Sequence, residues 1–113
     1  MEKTKMLKKN YEFRNVLTKG KYYSGKNIEA FIKDNNKKVN FLGLAISVKT
    51  CKAVGRNRIK RLIRENYKIL ESQIQEGKTI VFLWRKQADI KNANFVNIEK
   101  DMNDIFDKAN IKK

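Results

Sequence analysis

The chain has 113 residues, room for a single domain spanning 1–113 with a real core, and its 41% apolar content argues against a disordered tail. It carries 27 Lys and Arg against 12 Asp and Glu, and self-repulsion at a net charge of +15 points to a polyanionic partner, either nucleic acid or an anionic membrane surface. With no His and one Cys, catalytic triads, histidine acid–base chemistry, intrachain disulfides, Cys-based zinc sites and most transition-metal sites are excluded.

In chain order, MEKTKMLKKN opens the sequence without an apolar run, so no signal peptide is expected. NYEFRNVL (10–17) reads as a short helix. Asn10 suits its N-cap, and Phe13, Val16 and Leu17 share one face at i, i+3, i+4. TKGKYYSGK (18–26) reads as a loop punctuated by Gly20 and Gly25. NIEAFIK (27–33) alternates as a half-buried strand does, with Ile28, Ala30 and Ile32 on one face and Glu29, Phe31 and Lys33 on the other. After a DNNKK turn, VNFLGLAISV (39–48) is a second strand. Leu42, Leu44 and Ile46 would face a core, opposite the mostly small face of Phe41, Gly43, Ala45 and Ser47. Cys51 reads as a buried structural thiol. A long helix runs from about 54 to 74, and Gly77 breaks the chain after it. TIVFLWR (79–85) is apolar on both faces until Arg85, as suits a strand well inside a sheet. The last helix, near 94–109, carries the stripe Phe95, Ile98, Met102, Ile105, Phe106, Ala109. Its outer face, with Glu99, Asp101, Asp104 and Asp107, is a poor surface for nucleic acid. No apolar run is long enough to span a membrane, and the expectation is a soluble cytoplasmic protein.

The positive charge is clustered. Residues 1–26 have a net charge of +6, 27–48 of +1, 49–68 of +7 and 69–113 of +1. A coding bias toward lysine would spread it evenly, so the clustering is informative. On a helical wheel with Arg56 at zero, Ile59, Leu62, Ile63, Tyr67 and Leu70 group around roughly 300°, while Lys60, Arg64, Lys68 and Arg61 fall at roughly 40–140°. The helix can dock on a sheet and aim a row of cations outward, with its N-terminal N–H groups adding to the pull on phosphate.

Four uses compete for such a helix: a solvated face, a DNA reader, a membrane anchor and an RNA clamp. Glu65 is the only acid in 49–68, so ion pairs at i, i+4 do not account for the cations. The stripe has none of the Trp or Phe of a membrane-surface helix. A helix-turn-helix sits badly with the predicted strands. Where it would want base-reading Gln, Asn or Ser, mainly phosphate-seeking Arg and Lys stand.

GLAISVKTCKAVGRNRIKRLIRENY (43–67) resembles the signature of the protein subunit of bacterial ribonuclease P. That family's motif, R-N-R-x-K-R-x-x-R, is matched by Arg56, Asn57, Arg58, Lys60, Arg61 and Arg64. LKKNYEFRNVLTKG (7–20) and LWRKQA (83–88) are similar to further family stretches, and the resemblance covers roughly residues 7–109. It implies an α+β two-layer sandwich, similar to a domain of a small-subunit ribosomal protein. The sheet would be four-stranded and mainly antiparallel, with three helices, the basic one in a left-handed β-α-β crossover against the usual hand. The residue pattern alone yields three strands. The fourth is expected in the stretch divided between loop and strand, or from a different split of 39–48.

The resemblance also implies a function: assisting a catalytic RNA that removes the 5′ leader of precursor tRNA. The RNA, with Mg2+, would do the chemistry. The protein would carry no catalytic residue, metal site or cofactor of its own, and would pair one-to-one with the RNA and with no membrane. By position, Arg56, Asn57, Arg58, Lys60, Arg61 and Arg64 would contact the ribozyme RNA. Phe13, Leu17 and Phe31 would line a cleft for the single-stranded leader, flanked by Lys49, Lys52, Arg85 and Lys86. A basic groove with stacking side chains holds a single strand whatever its bases. Leu17 stands where the family commonly has an aromatic, Cys51 where glycine is usual, Lys52 where a small polar residue is common, and Val48 where lysine is frequent. A structural RNA-binding protein such as a ribosomal one, or a DNA-binding regulator, would share the charge without the leader cleft.

Overall fold

In the computed structural model, which describes residues 3–113, the chain forms β1 (Thr4–Met6), α1 (Asn10–Lys19), β2 (Lys21–Ser24), β3 (Ile28–Asp34), β4 (Asn40–Leu44), α2 (Ala53–Leu70), β5 (Lys78–Trp84) and α3 (Phe95–Ala109). The expected alternation in 27–33 is present: Ile28, Ala30 and Ile32 are buried on one face, and Phe31 and Lys33 lie half-buried on the other. Phe82 and Val81 are both fully buried, so β5 is covered on both faces, as its continuous apolar run demanded.

The sheet has five strands in the order β1-β4-β5-β3-β2, one more than expected. Its pairings are mixed, with more residues paired antiparallel than parallel. β1 and β5 run parallel to β4, while β3 is antiparallel to both β5 and β2. The two strands that the residue pattern alone does not yield lie at the edges. β2 occupies the middle of the expected 18–26 loop, and β1 lies in the opening stretch. The strand expected over 39–48 stops at Leu44, so Ser47 is an exposed loop residue instead of part of a strand face.

Two faces follow from the alternation. α2 and α3 pack on the first, against Ile28, Ile32, Leu42, Ile80, Phe82 and Trp84. α1 packs on the second, where Val16 and Leu7 meet Val81, with Phe13, Leu17, Phe31, Phe41, Ala45 and Leu83 around them. The α3 stripe is buried at Ile98, Met102, Ile105 and Phe106. Asp101 does not lie on the outer acidic face as expected. It is 5% exposed, and its carboxylate accepts hydrogen bonds from the backbone N–H groups of Lys26 (3.3 Å), Asn27 (2.8 Å) and Ile28 (3.2 Å). Three N–H donors satisfy the buried charge and tie the β2–β3 loop to α3.

The topology contains an exception to the handedness rule. β1-α1-β2 and β4-α2-β5 each join parallel strands, and both step across the sheet in the same direction. Their helices lie on opposite faces. The two crossovers therefore have opposite hands, and one of them is left-handed, against the strong preference for right-handed connections.

Helix boundaries shift by a few residues, for local reasons. Lys9, not Asn10, is the N-cap of α1, because Glu12 turns back to accept from the Lys9 N–H (3.0 Å). α2 ends at Leu70 and tightens into a 3-10 turn over Glu71–Gln73. Asn94 caps α3 through the Asn97 N–H (2.9 Å), and Asn110, in the left-handed region, ends it.

Candidate nucleic-acid interface

α2 separates its side chains by face. Ile59, Leu62, Ile63, Tyr67 and Leu70 are buried against the sheet and α3. Asn57, Arg58 and Arg61 are exposed, and Lys60 and Arg64 are half-buried beside them. The only ion pair on this face is the exposed Arg61–Glu65 contact at 3.7 Å, which leaves most of the cations without an acidic partner among the described residues.

Arg56 differs from the rest of the motif. Its Nη1 donates to the Cys51 carbonyl (2.6 Å) and, at 3.5 Å, to that of Val48. The guanidinium thus braces the loop between β4 and α2. Cys51 is half-buried, not enclosed, and packs at the edge of the core. Gly55 leaves room for it, since a Cβ there would come within 2.7 Å of the Cys51 Sγ.

The second surface is the part of the sheet that α1 leaves open. Phe13 lies directly on Gly43, where a Cβ would sit 2.6 Å from the ring Cε1. The small residue expected on that strand face is what lets the helix approach so closely. Leu17 and Phe31 belong to the same apolar cluster, so the structure brings the three cleft candidates together. Tyr22 was not among them. It pairs across β2–β3 with Phe31, ring centroids 5.2 Å apart, and is 49% exposed. Its hydroxyl donates to the Glu29 carboxylate, and that hydrogen bond holds the phenol pKa above its ordinary value. Alternation within YYS was the available signal, and the loop reading of 18–26 hid it.

The two surfaces meet at one end of the sheet. β4 and β5 are parallel, so the loop carrying Lys49 and Lys52 and the loop beginning at Arg85 and Lys86 emerge side by side. The Ala45 N–H donating to the Phe82 carbonyl (2.9 Å) fixes them there. α2 also begins at this end. Lys49, Lys52 and Lys86 are exposed. Arg85 is not a free flank, because its Nη1 donates to the Gly25 carbonyl (3.0 Å) and its N–H to that of Asn27 (2.8 Å). No acid stands in the first turn of α2, and its N-cap, Lys52, makes no side-chain capping bond, so the positive end of the helix lies open among cations. The whole forms a basic rim beside an aromatic floor, and cations beside ring faces are chemically suited to a phosphodiester strand and its bases.

This sequence and this shape are both similar to those of known proteins. The family model described as Ribonuclease P matches residues 1–110. A ribonuclease P protein component of Clostridium botulinum (strain Loch Maree / Type A3) is 36% identical over 110 residues, covering 96% of this chain and 97% of the relative. That of Clostridium kluyveri is 37% identical over 109 residues, covering 95% and 96%. The solved Staphylococcus aureus RNase P protein superposes with a TM-score of 0.83 at 28% identity, over 96% of this chain and 97% of that one. The chain thus matches ribonuclease P proteins in sequence along nearly its whole length and superposes on one of them in fold, and it belongs to that family.

Proposed function

We propose that this chain is the protein subunit of a ribonuclease P ribonucleoprotein, acting as a single domain that pairs one-to-one with the catalytic RNA in the cytoplasm. α2 grips the ribozyme RNA through Asn57, Arg58, Lys60, Arg61 and Arg64, while Arg56 shapes the loop that presents them. The cleft of Phe13, Leu17 and Phe31, extended by Tyr22, holds the single-stranded 5′ leader of precursor tRNA. Lys49, Lys52 and Lys86 meet its phosphates, and Arg85 positions the neighbouring loop. The observation that carries this reading is the convergence of the N-terminal end of α2 and the open aromatic face at one end of the sheet. One small domain can then touch two RNAs at once.

The chemistry is assigned to the RNA. In this reading magnesium belongs with the RNA subunit, and the protein contributes binding and position. Reconstitution with a bacterial ribonuclease P RNA at low magnesium tests it, with precursor tRNA as substrate. Cleavage faster than with RNA alone is expected, and no stimulation would overturn the proposal.

A further inference from the structure

α1 joins β1 to β2, the two edges of the sheet, and so lies across the second face and divides it. The leader cleft lies on one side. On the other, between α1 and the β3–β4 turn, is an open concavity of about 700 Å³ that the proposed function does not use. Phe41 and Thr79 form its floor, Tyr11 and Arg14 stand on its helical wall, Lys19 lies at the end of that wall, and Lys37 stands on the turn.

The charge balance of this concavity is one-sided. It contains two acids, and both are engaged elsewhere: Glu12 accepts from the Lys9 N–H, and Asp34 pairs with Lys78. Lys33 donates to the Asn15 side chain (2.7 Å). Among the described residues Arg14, Lys19 and Lys37 form no ion pair. The Lys37 ammonium lies 5.3 Å from the centroid of the Phe41 ring, so a cation and an aromatic face are neighbours, as phosphate and base are in a nucleotide. Tyr11 is 64% exposed at the rim.

We infer that this concavity is a second single-stranded RNA site, holding one nucleotide with its base against Phe41 and Tyr11 and its phosphate on Arg14, Lys19 and Lys37. Stacking with cations in reach is the chemistry of sequence-tolerant single-strand binding. The inference adds a separate site to the proposed function and does not depend on the leader cleft being correct.

The test is an amide chemical-shift titration of the whole protein with a short oligoadenylate. Two groups of shifts are expected, one at the β3–β4 turn, Phe41 and Thr79, the other at Lys49–Lys52 and Arg85–Lys86. Arg14→Glu with Lys37→Glu should weaken the first group by about tenfold or more, the scale of a lost stacking or phosphate contact, and leave the second. Lys52→Glu with Lys86→Glu should do the reverse. All four are surface substitutions, and a native-like spectrum of each variant establishes its fold. Shifts confined to the second group would overturn the inference and leave the leader reading intact. Shifts confined to the first group would support it and count against the leader cleft. Inorganic phosphate producing the same shifts as RNA at equal concentration would reduce the concavity to an anion site and overturn the nucleotide assignment.

Discussion

Arg56 and Arg61 belong to one motif, yet the fold uses them differently. Arg56 donates to loop carbonyls, whereas Arg61 has only a 3.7 Å exposed contact with Glu65, the kind of pair worth about 0–1 kcal/mol. Arg61→Ala should therefore change urea-unfolding stability by no more than about 0.5 kcal/mol. It should also lower the slope of log affinity against log salt for ribonuclease P RNA by about 0.7–0.9. Arg56→Ala should cost about 1.5–3 kcal/mol of stability, because it removes a charge-assisted bond. Equal stability losses in the two variants would refute this division. A motif cannot separate these two residues, because the carbonyls that hold Arg56 belong to a loop whose path is set by tertiary structure. The same limit hid Asp101, whose three N–H partners lie more than seventy residues away in the chain. Tyr67 gives a prediction of another kind. Burial holds its phenol pKa above the ordinary value, although the Thr4 hydroxyl bonded to it at 2.7 Å acts the other way. The fold prefers the neutral form, so this contribution is complete below the unfolded pKa of about 10 and is lost as pH rises through the folded one. Urea midpoints from about pH 8 to about pH 11 should fall more steeply for the native protein than for Tyr67→Phe, and parallel curves would show that Tyr67 does not carry the effect.

The elements that sequence periodicity revealed are the ones that bury a face. α1, α2, α3, β3, β4 and β5 each carry a regular apolar pattern, and each was visible. β1 and β2 are edge strands, too short or too exposed for such a pattern, and they exist because a neighbour offers unpaired backbone groups. The charge of α2 was equally legible, but its cost was not. Cations at a helix N-terminus oppose the macrodipole, and Lys52 occupies the N-cap without making a capping bond. Lys52→Ser should thus stabilise the free protein by about 0.5–2 kcal/mol, read as a higher urea midpoint, since serine can accept from the orphan N–H groups. It should also weaken binding of leader-bearing precursor tRNA relative to mature tRNA. A gain in stability with unchanged precursor preference would remove Lys52 from the leader contacts, and no gain would show that the helix end is already satisfied.

At the scale of the molecule, charge and stability pull in opposite directions. A net charge of +15 on 113 residues repels itself, and most of it lies in two segments, 1–26 and 49–68. Those segments supply α1, the loop before α2 and the first four turns of α2, so the repulsion is concentrated where the open face and the basic helix adjoin. The acidic stretch of α3 does little to relieve it, because Asp101 is spent inside the fold and Asp104 and Asp107 pair with Lys108 and Lys112. An RNA partner would relieve the repulsion, while added salt relieves it and competes with the RNA. Raising NaCl should therefore raise the thermal midpoint of the free protein while lowering its affinity for ribonuclease P RNA. Replacing Arg58 and Arg61 with Gln should flatten both dependences together, since the same exposed cations would cause both. If the midpoint keeps its full salt dependence in that variant while the affinity loses its own, the charges that strain the fold are not those that bind RNA.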